Sequence, residues 1–222
     1  MGIIIAIEGA DGVGKNTTAT RLCETLRATG HSADVIGFPR YGETVAGVTI
    51  GRYMAGDMTV PVTPHAAATL YALDRFEWRD NILAAVAAND VLVFDRYVAS
   101  NMAYQAARVD PDASRGVMEW ILALETGQFA LPVPTLSIYL DTPWDLARAM
   151  ILKKAERSYT SKSYDEYEAD VALQQRVRTN YEAIVTADLL GPWRTVRASK
   201  AGAMRAPEAI VDEIIGHIDG LA

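Results

Sequence analysis

The sequence predicts an α/β protein in which helices cover both faces of a five-stranded parallel sheet. Five short apolar runs, partly β-branched, are separated by segments with helical hydrophobic patterns, and this alternation is typical of parallel sheets. A glycine-rich loop follows the first run directly and leads into a helical pattern, which gives the order strand, loop, helix. The predicted strands span residues 3–7, 33–38, 91–94, 136–140 and 194–197.

The composition indicates a globular domain. With 222 residues, half of them hydrophobic, the chain can bury one sizeable core, so we expect a single domain over residues 1–222. No window reaches the roughly eighteen apolar residues of a membrane span. The net charge of −7 argues against broad nucleic-acid binding, although it leaves room for a small phosphorylated substrate. Cys23 is the only cysteine and is expected in the core, and the protein is expected to be cytoplasmic.

The first predicted strand leads into a phosphate-binding pattern. The segment from Gly9 to Lys15 has the spacing G-x-x-x-x-G-K, in which backbone N–H groups and a helix start converge on phosphate oxygens. A plain glycine turn is the alternative, and the agreement of strand, spacing, lysine and helix argues against it. Asn16 stands where Ser or Thr normally holds Mg²⁺, so we expect other residues to hold the ion. The predicted ATP-binding residues are Gly9, Gly12, Val13, Gly14, Lys15, Asn16 and Thr17.

Polar residues follow the second and third predicted strands, at the sheet edge where ligands gather in such folds. Phe38-Pro-Arg-Tyr41 offers a guanidinium between two aromatic rings, although taken alone this pattern favours a loop with aromatic anchors. Asp95 follows the third strand, where a carboxylate is well placed to hold Mg²⁺ through water. Arg96 beside it could bind a phosphate through two hydrogen bonds.

Two predicted helices present polar side chains at helical spacing. After an N-cap at Thr63, followed by proline, one long helix is predicted to continue to about Ala88. Tyr71 and Arg75 lie four residues apart on it and could stack on a flat base and bond its edge; a surface contact of Arg75 fits the spacing equally well. The helix after the third strand has a polar face that is either solvated or in contact with a base or sugar. That face comprises Asn101, Tyr104, Gln105 and Arg108.

The segment 153–166 is expected to form a mobile lid, because it is polar and basic and lacks strong apolar periodicity. Residues 163–166 match a capping box, which predicts that a helix restarts at Asp165. Acidic residues in a first helical turn are expected from the helix dipole alone, and this explanation covers Glu168 less well than Asp165.

Together these motifs resemble those of the thymidylate kinases, most closely the actinobacterial ones. A phosphate loop alone is unspecific, but its combination with Phe-Pro-Arg-Tyr and Asp-Arg-Tyr…Ser-Asn…Tyr is highly specific. The resemblance covers the chain from Gly9 to about Tyr181 and also includes residues 69–75, 165–168 and 173–176. It implies a P-loop nucleoside-monophosphate-kinase-like three-layer fold with a mobile lid, ATP and dTMP as substrates, Mg²⁺, and a homodimer.

The resemblance also implies catalytic and metal-binding residues. Asp11 would lie beside the phosphate and 3′-hydroxyl of dTMP and would help to hold Mg²⁺ together with Glu168. Relatives with glycine at position 12 place a catalytic arginine in the lid, and Arg157 is the only arginine there. The implied catalytic residues are Lys15, Arg96, Asp11 and Arg157.

For the acceptor nucleotide, the resemblance implies that Tyr71 stacks on thymine and that Arg75 bonds its carbonyl edge. Tyr167 would sit where a 2′-hydroxyl projects, while Tyr104 and Asp165 would border the deoxyribose. The implied dTMP-binding residues are Asp11, Phe38, Arg40, Tyr41, Tyr71, Arg75, Arg96, Asn101, Tyr104, Asp165 and Tyr167.

The expected activity is transfer of the γ-phosphoryl group of ATP to dTMP, giving dTDP and ADP in dTTP synthesis. One alternative is a kinase for another pyrimidine deoxynucleotide or a deoxynucleoside. Another is a nucleotide-binding switch without turnover. The acceptor-side residues argue against a switch, because they would serve no purpose in it. The sequence also lacks the Asn-Lys-x-Asp pattern of guanine-binding switches.

Overall fold

The predicted five-stranded parallel sheet is confirmed. The computed structural model describes residues 2–157 and 170–221, with side chains for all of these except 153–157. The sheet strands are β1 Ile3–Glu8, β2 Ala33–Gly37, β3 Val91–Asp95, β4 Leu136–Asp141 and β5 Trp193–Arg197. They pair in the order β2-β3-β1-β4-β5, and all four pairings are parallel.

Helices occupy most of the intervals between the strands, as the alternating pattern predicts. The helices are α1 Lys15–Ala28, α2 Val45–Met54, α3 Pro64–Glu77, α4 Arg79–Ala88, α5 Val98–Ala106, α6 Pro111–Leu122, α7 Trp144–Arg157, α8 Val171–Thr186 and α9 Pro207–Asp219. A π-helical segment, Ala123–Gln128, continues α6. A small hairpin that the sequence analysis did not predict pairs β6 Ser199–Lys200 with β7 Ala203–Met204. Within residues 2–157 and 170–221, the helices are too short or too polar to cross a bilayer.

The core lies around the central strands, because helices cover both faces of the sheet and exclude water from both sides of these strands. Ile5 and Ile7 of β1 and Val93 and Phe94 of β3 are fully buried. Around this sheet α1 packs against α9, and α5 packs against α3, α6 and α8. Cys23 on α1 is buried among these apolar side chains, as predicted.

The predicted long helix from Thr63 to about Ala88 is wrong in one respect. Its start is correct, since the Thr63 hydroxyl accepts a hydrogen bond from the N–H of Ala66 at 3.2 Å. However, the helix ends at Glu77, and α4 begins at Arg79 after a break at Trp78. The Arg40 guanidinium lies 4.5 Å from the centre of the Trp78 ring, so the break coincides with a tertiary contact. A cation held on an indole face is stabilising, and local sequence gives no sign of it.

The topology brings the two most polar strand ends together. Ile7 of β1 is paired with Asp95 of β3, so the loop after Glu8 begins beside the turn that starts at Arg96. The N–H of Arg96 donates to the Ile7 carbonyl at 3.2 Å. On the other side of the loop, α7 extends to Arg157 and therefore includes the first five residues of the predicted lid, 153–157. The remainder of that lid lies outside the described residues.

Candidate functional site

The glycine loop between β1 and α1 has the form that binds phosphate. Gly12 and Gly14 have positive φ angles of 77° and 91°, and Gly14 forms the N-cap of α1. The first turn of α1 begins with the cation Lys15 and the exposed polar residues Asn16 and Thr17. The positive end of the helix dipole therefore faces the loop together with a lysine. This is the usual arrangement of a site that binds an anion.

Lys15 is buried and lies along the loop. Its Nζ donates to the carbonyl oxygens of Gly9 at 2.9 Å and Ala10 at 2.5 Å. Burial, reinforced by repulsion from Arg96, lowers the pKa of Lys15 from 10.5 to about 8, against the attraction of Asp11. The ammonium is therefore only weakly favoured near neutral pH and gains from a bound anion.

Helix α7 closes over the loop at Gly12. A Cβ atom at this position would lie 2.3 Å from the carbonyl oxygen of Ala147 and 2.8 Å from Cγ1 of Ile151. A side chain at position 12 would therefore displace α7. Glycine is required here both by the positive φ and by the close approach of the helix backbone.

Asp11 is the centre of a polar cluster that joins the glycine loop to α5 and α8. One carboxylate oxygen pairs with Nη2 of Arg96, and the other accepts from the Tyr104 hydroxyl and, at 3.0 Å, from Nε2 of Gln174. Burial alone would raise the pKa of Asp11, but Arg96, Lys15 and these two hydrogen bonds hold it well below its usual range. Asp11 is therefore ionised, and both of its oxygens already have partners.

Arg96 adopts a left-handed backbone conformation, with a φ of 66°. Such conformations cost about 1–3 kcal/mol outside glycine and persist only where surrounding contacts enforce them. The contacts come from Glu8, a fully buried carboxylate at the end of β1. It accepts from the N–H of Tyr97 at 2.8 Å, from the Ser100 hydroxyl at 2.6 Å and from the Tyr181 hydroxyl at 2.9 Å.

Glu8 fixes the turn that aims Arg96, and sequence reasoning missed this residue, together with Gln174 and Tyr181. The available signal was a glutamate directly after the apolar run of β1, because a charge that ends a buried strand needs partners. Gln174 and Tyr181 lie on α8, and their proximity to the loop follows only from how α8 packs against α5.

Arg75 is not a surface residue, so the surface contact considered from spacing is wrong. It is 2% exposed, and the fully buried Glu125 pairs with it: Nε lies 2.5 Å from one carboxylate oxygen and Nη2 lies 2.7 Å from the other. Burial would lower the pKa of Arg75, but Glu125 raises it. The guanidinium also lies 5.8 Å from the ring centre of Phe38, and the Tyr71 hydroxyl donates to Sδ of Met54 at 3.3 Å.

The polar face of α5 is not a solvated face, because two of its members are buried. Asn101 is 3% exposed and Gln105 is 1% exposed. Nδ2 of Asn101 donates to the Ala68 carbonyl at 3.0 Å and to Glu125 at 2.8 Å. Asn101 and Arg75 therefore share one buried carboxylate, which sequence reasoning also missed.

The Phe38–Tyr41 segment is anchored in part by the core. Phe38 is buried, and its ring packs 6.1 Å from that of Phe94. Arg40 donates its N–H to Asp74 at 2.9 Å and its guanidinium pairs with Glu43 at 2.6 Å, while Tyr41 is 55% exposed. The loop thus joins an aromatic anchor to a charged, accessible end.

Four predicted site residues lack a described side chain. The predicted contacts of Asp165, Tyr167 and Glu168 lie outside the described residues, and for Arg157 the structure gives only the place on the α7 backbone. Among the described residues, no group of three or more His, Cys, Asp or Glu side chains is arranged to hold a metal ion.

Comparisons with known proteins agree on one family. The thymidylate kinase family model matches residues 7–200. The thymidylate kinase of Mycobacterium tuberculosis (strain H37Rv) is 36% identical over 197 residues, which cover 88% of this chain and 92% of that protein. The thymidylate kinase of Solidesulfovibrio magneticus is 28% identical over 222 residues, 99% of this chain and 100% of that protein. The solved thymidylate kinase structure from Candida albicans superposes with a TM-score of 0.74 at 22% identity, over 99% of this chain and 92% of that one, which shows the fold.

Proposed function

This chain belongs to the thymidylate kinase family and transfers the γ-phosphoryl group of ATP to dTMP, giving dTDP and ADP, and we propose how its residues divide that work. The predicted resemblance to the actinobacterial members is confirmed. The comparisons offer no support for a deoxynucleoside kinase or a switch without turnover. This assignment of roles to residues rests on one observation, the cluster in which the glycine loop, Asp11 and Arg96 meet.

On the donor side, the loop N–H groups and the α1 N-terminus hold the ATP phosphates. Lys15 exchanges its two carbonyl contacts for phosphate oxygens, and the phosphate charge stabilises the ammonium form that burial and Arg96 disfavour. Phosphoryl transfer asks for positioning and charge neutralisation rather than covalent chemistry. Gly9, Gly12, Val13, Gly14, Lys15, Asn16 and Thr17 form this subsite.

On the acceptor side, Arg96 holds the dTMP phosphate while Asp11 holds Arg96. The ion pair and the turn fixed by Glu8 orient the guanidinium before substrate arrives, so little reorganisation is needed. Tyr104, bonded to Asp11, borders the sugar. Burial and the neighbouring Asp11 raise the pKa of Tyr104 well above its usual range, so it acts as a neutral hydrogen-bond donor.

The base and sugar contacts follow from the residues around this cluster. Tyr71 stacks on thymine, Arg75 donates to its carbonyl edge and Asn101 bonds the ring nitrogen. Asp165 would border the deoxyribose, and Tyr167 would sit where a 2′-hydroxyl projects. The remaining contacts of the acceptor nucleotide are assigned to Phe38, Arg40 and Tyr41.

The described residues fit Mg²⁺ that is held largely by phosphate oxygens and water. Mg²⁺ commonly uses one or two carboxylates in such sites. Asp11 is ionised, and Asp95 interacts electrostatically with Lys15 and Arg96, so these two carboxylates would be the ligands within the described residues, with Glu168 as a further one. The ion would neutralise charge between the β- and γ-phosphates. We further propose that the enzyme is cytoplasmic and that it forms a homodimer. Light scattering after gel filtration tests the homodimer, because it measures the molar mass.

The test of this division is ADP production with each deoxynucleoside monophosphate and with thymidine, in wild type and Lys15→Ala. We expect dTMP to be preferred and Lys15→Ala to lower kcat by roughly 10³-fold or more, since charge neutralisation at the transferring group is lost. Unchanged unfolding temperature would show that the fold is intact. Near-normal kcat in Lys15→Ala would contradict the role of the loop lysine.

A further inference from the structure

Glu125 is a buried carboxylate in an unusual backbone setting. It is fully inaccessible and lies in the π-helical segment Ala123–Gln128, between the end of α6 and Phe129. Single π-helical turns interrupt regular helices at a cost and are frequent at functional sites. An ionised group without solvent is retained only where strong partners compensate for its lost hydration.

Those partners are two of the residues assigned to the thymine base. Arg75 donates Nε to one oxygen of Glu125 and Nη2 to the other, at 2.5 and 2.7 Å. Asn101 donates Nδ2 to the same oxygen as Nη2, at 2.8 Å. A single carboxylate therefore fixes a guanidinium from α3 and an amide from α5 side by side.

These contacts determine which atoms remain to face a ligand. Nδ2 of Asn101 is engaged by Glu125 and by the Ala68 carbonyl, so the orientation of the amide is fixed. Its Oδ1 atom is buried and accepts no hydrogen bond within residues 2–157 and 170–221. An unsatisfied buried acceptor destabilises the protein and is stabilised by a ligand donor. On Arg75, the two contacts with Glu125 use the Nε hydrogen and one Nη2 hydrogen, which leaves the two Nη1 hydrogens and the second Nη2 hydrogen as donors.

We propose that Glu125 is the positioning residue for base choice, because it presents an acceptor on Asn101 next to a donor on Arg75. Thymine has a complementary edge, with a donor at N3–H beside an acceptor at the C4 carbonyl. Cytosine has the reverse pattern, with an acceptor at N3 beside an amino donor. Cytosine would therefore place its N3 acceptor against the Asn101 acceptor and its amino donor against the Arg75 donor, so that buried polar atoms stay unpaired. Such mismatches can discriminate between two substrates by about 10⁴-fold. The inference rests on the proposed base contacts of Arg75 and Asn101.

The test is Glu125→Gln, which keeps the shape of the side chain but places an amide donor at one of the two oxygen positions, either the one that Arg75 and Asn101 share or the one that Arg75 alone occupies. If that donor faces Asn101, the Asn101 amide turns over and shows a donor where the acceptor was. We expect the ratio of kcat/KM for dTMP to that for dCMP to fall by about 10- to 100-fold. This is a part of the roughly 10⁴-fold discrimination that the base contacts can provide. Uniform loss with both substrates would instead indicate a merely structural role and would overturn the proposal.

Asp74→Asn is the matched control. Asp74 is equally buried and also accepts hydrogen bonds from two groups, the Arg40 N–H and the Thr44 hydroxyl, whereas its effect on Arg75 is an electrostatic attraction weaker than that of Glu125. It should lower activity with dTMP and dCMP by the same factor. If Glu125→Gln fails to fold, Asn101→Ala takes over the test, and an unchanged dTMP to dCMP ratio in that variant overturns the proposal. A wild-type enzyme without preference for dTMP would contradict the proposed base contacts themselves.

Discussion

Replacing Gly12 with alanine tests whether the contact between the glycine loop and α7 is required. The new Cβ would meet the Ala147 carbonyl oxygen at 2.3 Å, far inside van der Waals contact, and the residue would keep a φ of 77°. Gly14→Ala is a matched control in the same loop, since Gly14 has a φ of 91° and open space around its Cβ position. The two variants share the backbone strain and differ in the clash.

The expected effects follow from these two terms. A left-handed conformation costs an alanine about 1–2 kcal/mol, and overpacking against a fixed backbone adds about 1–3 kcal/mol. For a chain of this size, 1 kcal/mol lowers Tm by roughly 2–4 °C. Gly14→Ala should therefore lose about 2–8 °C, and Gly12→Ala should lose about 2–12 °C more.

The assay is thermal unfolding without nucleotide, followed by steady-state kinetics. Because α7 ends at Arg157, displacement of α7 should also lower kcat of Gly12→Ala more than it raises the KM for dTMP. Equal Tm values for the two variants would refute the reasoning, because the clash would then have no cost. The same outcome would show that α7 does not exclude a side chain at position 12.

Three further predictions concern the donor site and the lid. Lys15 has a pKa of about 8 in the folded enzyme and 10.5 unfolded, so the nucleotide-free enzyme gains stability from this group as pH rises from 8 to 10.5. ATP binding needs the charged form of Lys15, so calorimetry near pH 8 in buffers of different ionisation enthalpy should detect proton uptake on binding. Lys15→Met should lack this uptake, and equal uptake in both proteins would contradict the assignment of the proton to Lys15. Arg157→Ala should lower kcat by roughly 10³-fold with little change in the KM for dTMP, as for arginines that stabilise a transferring phosphoryl group. Normal kcat would transfer that role to a lysine of the lid. Tyr167→Ala should improve use of the thymine ribonucleotide relative to dTMP, whereas Tyr167→Phe should preserve the discrimination, because exclusion of the 2′-hydroxyl is steric; a ratio that stays constant in Tyr167→Ala would exclude such a gate.

The sequence by itself determined the strands, the glycine loop and the family, because these depend on local order and on side-chain type. Each predicted strand agrees with the structure to within one residue at its ends, and the central strands β1, β3 and β4, which are buried on both faces, are nearly continuous apolar runs. The positive φ at Gly12 and Gly14 is likewise implied by the loop pattern.

Only the tertiary structure decided how the polar groups are paired. Arg75 and Glu125 are fifty residues apart, and Asp11 and Gln174 are 163 apart, so no local pattern links them. The break at Trp78 also coincides with a tertiary contact, because the Trp78 ring lies against Arg40 from a distant loop. Buried charges choose partners by proximity in the folded core, where desolvation makes an unpaired group costly, and that proximity follows from packing rather than from spacing along the chain.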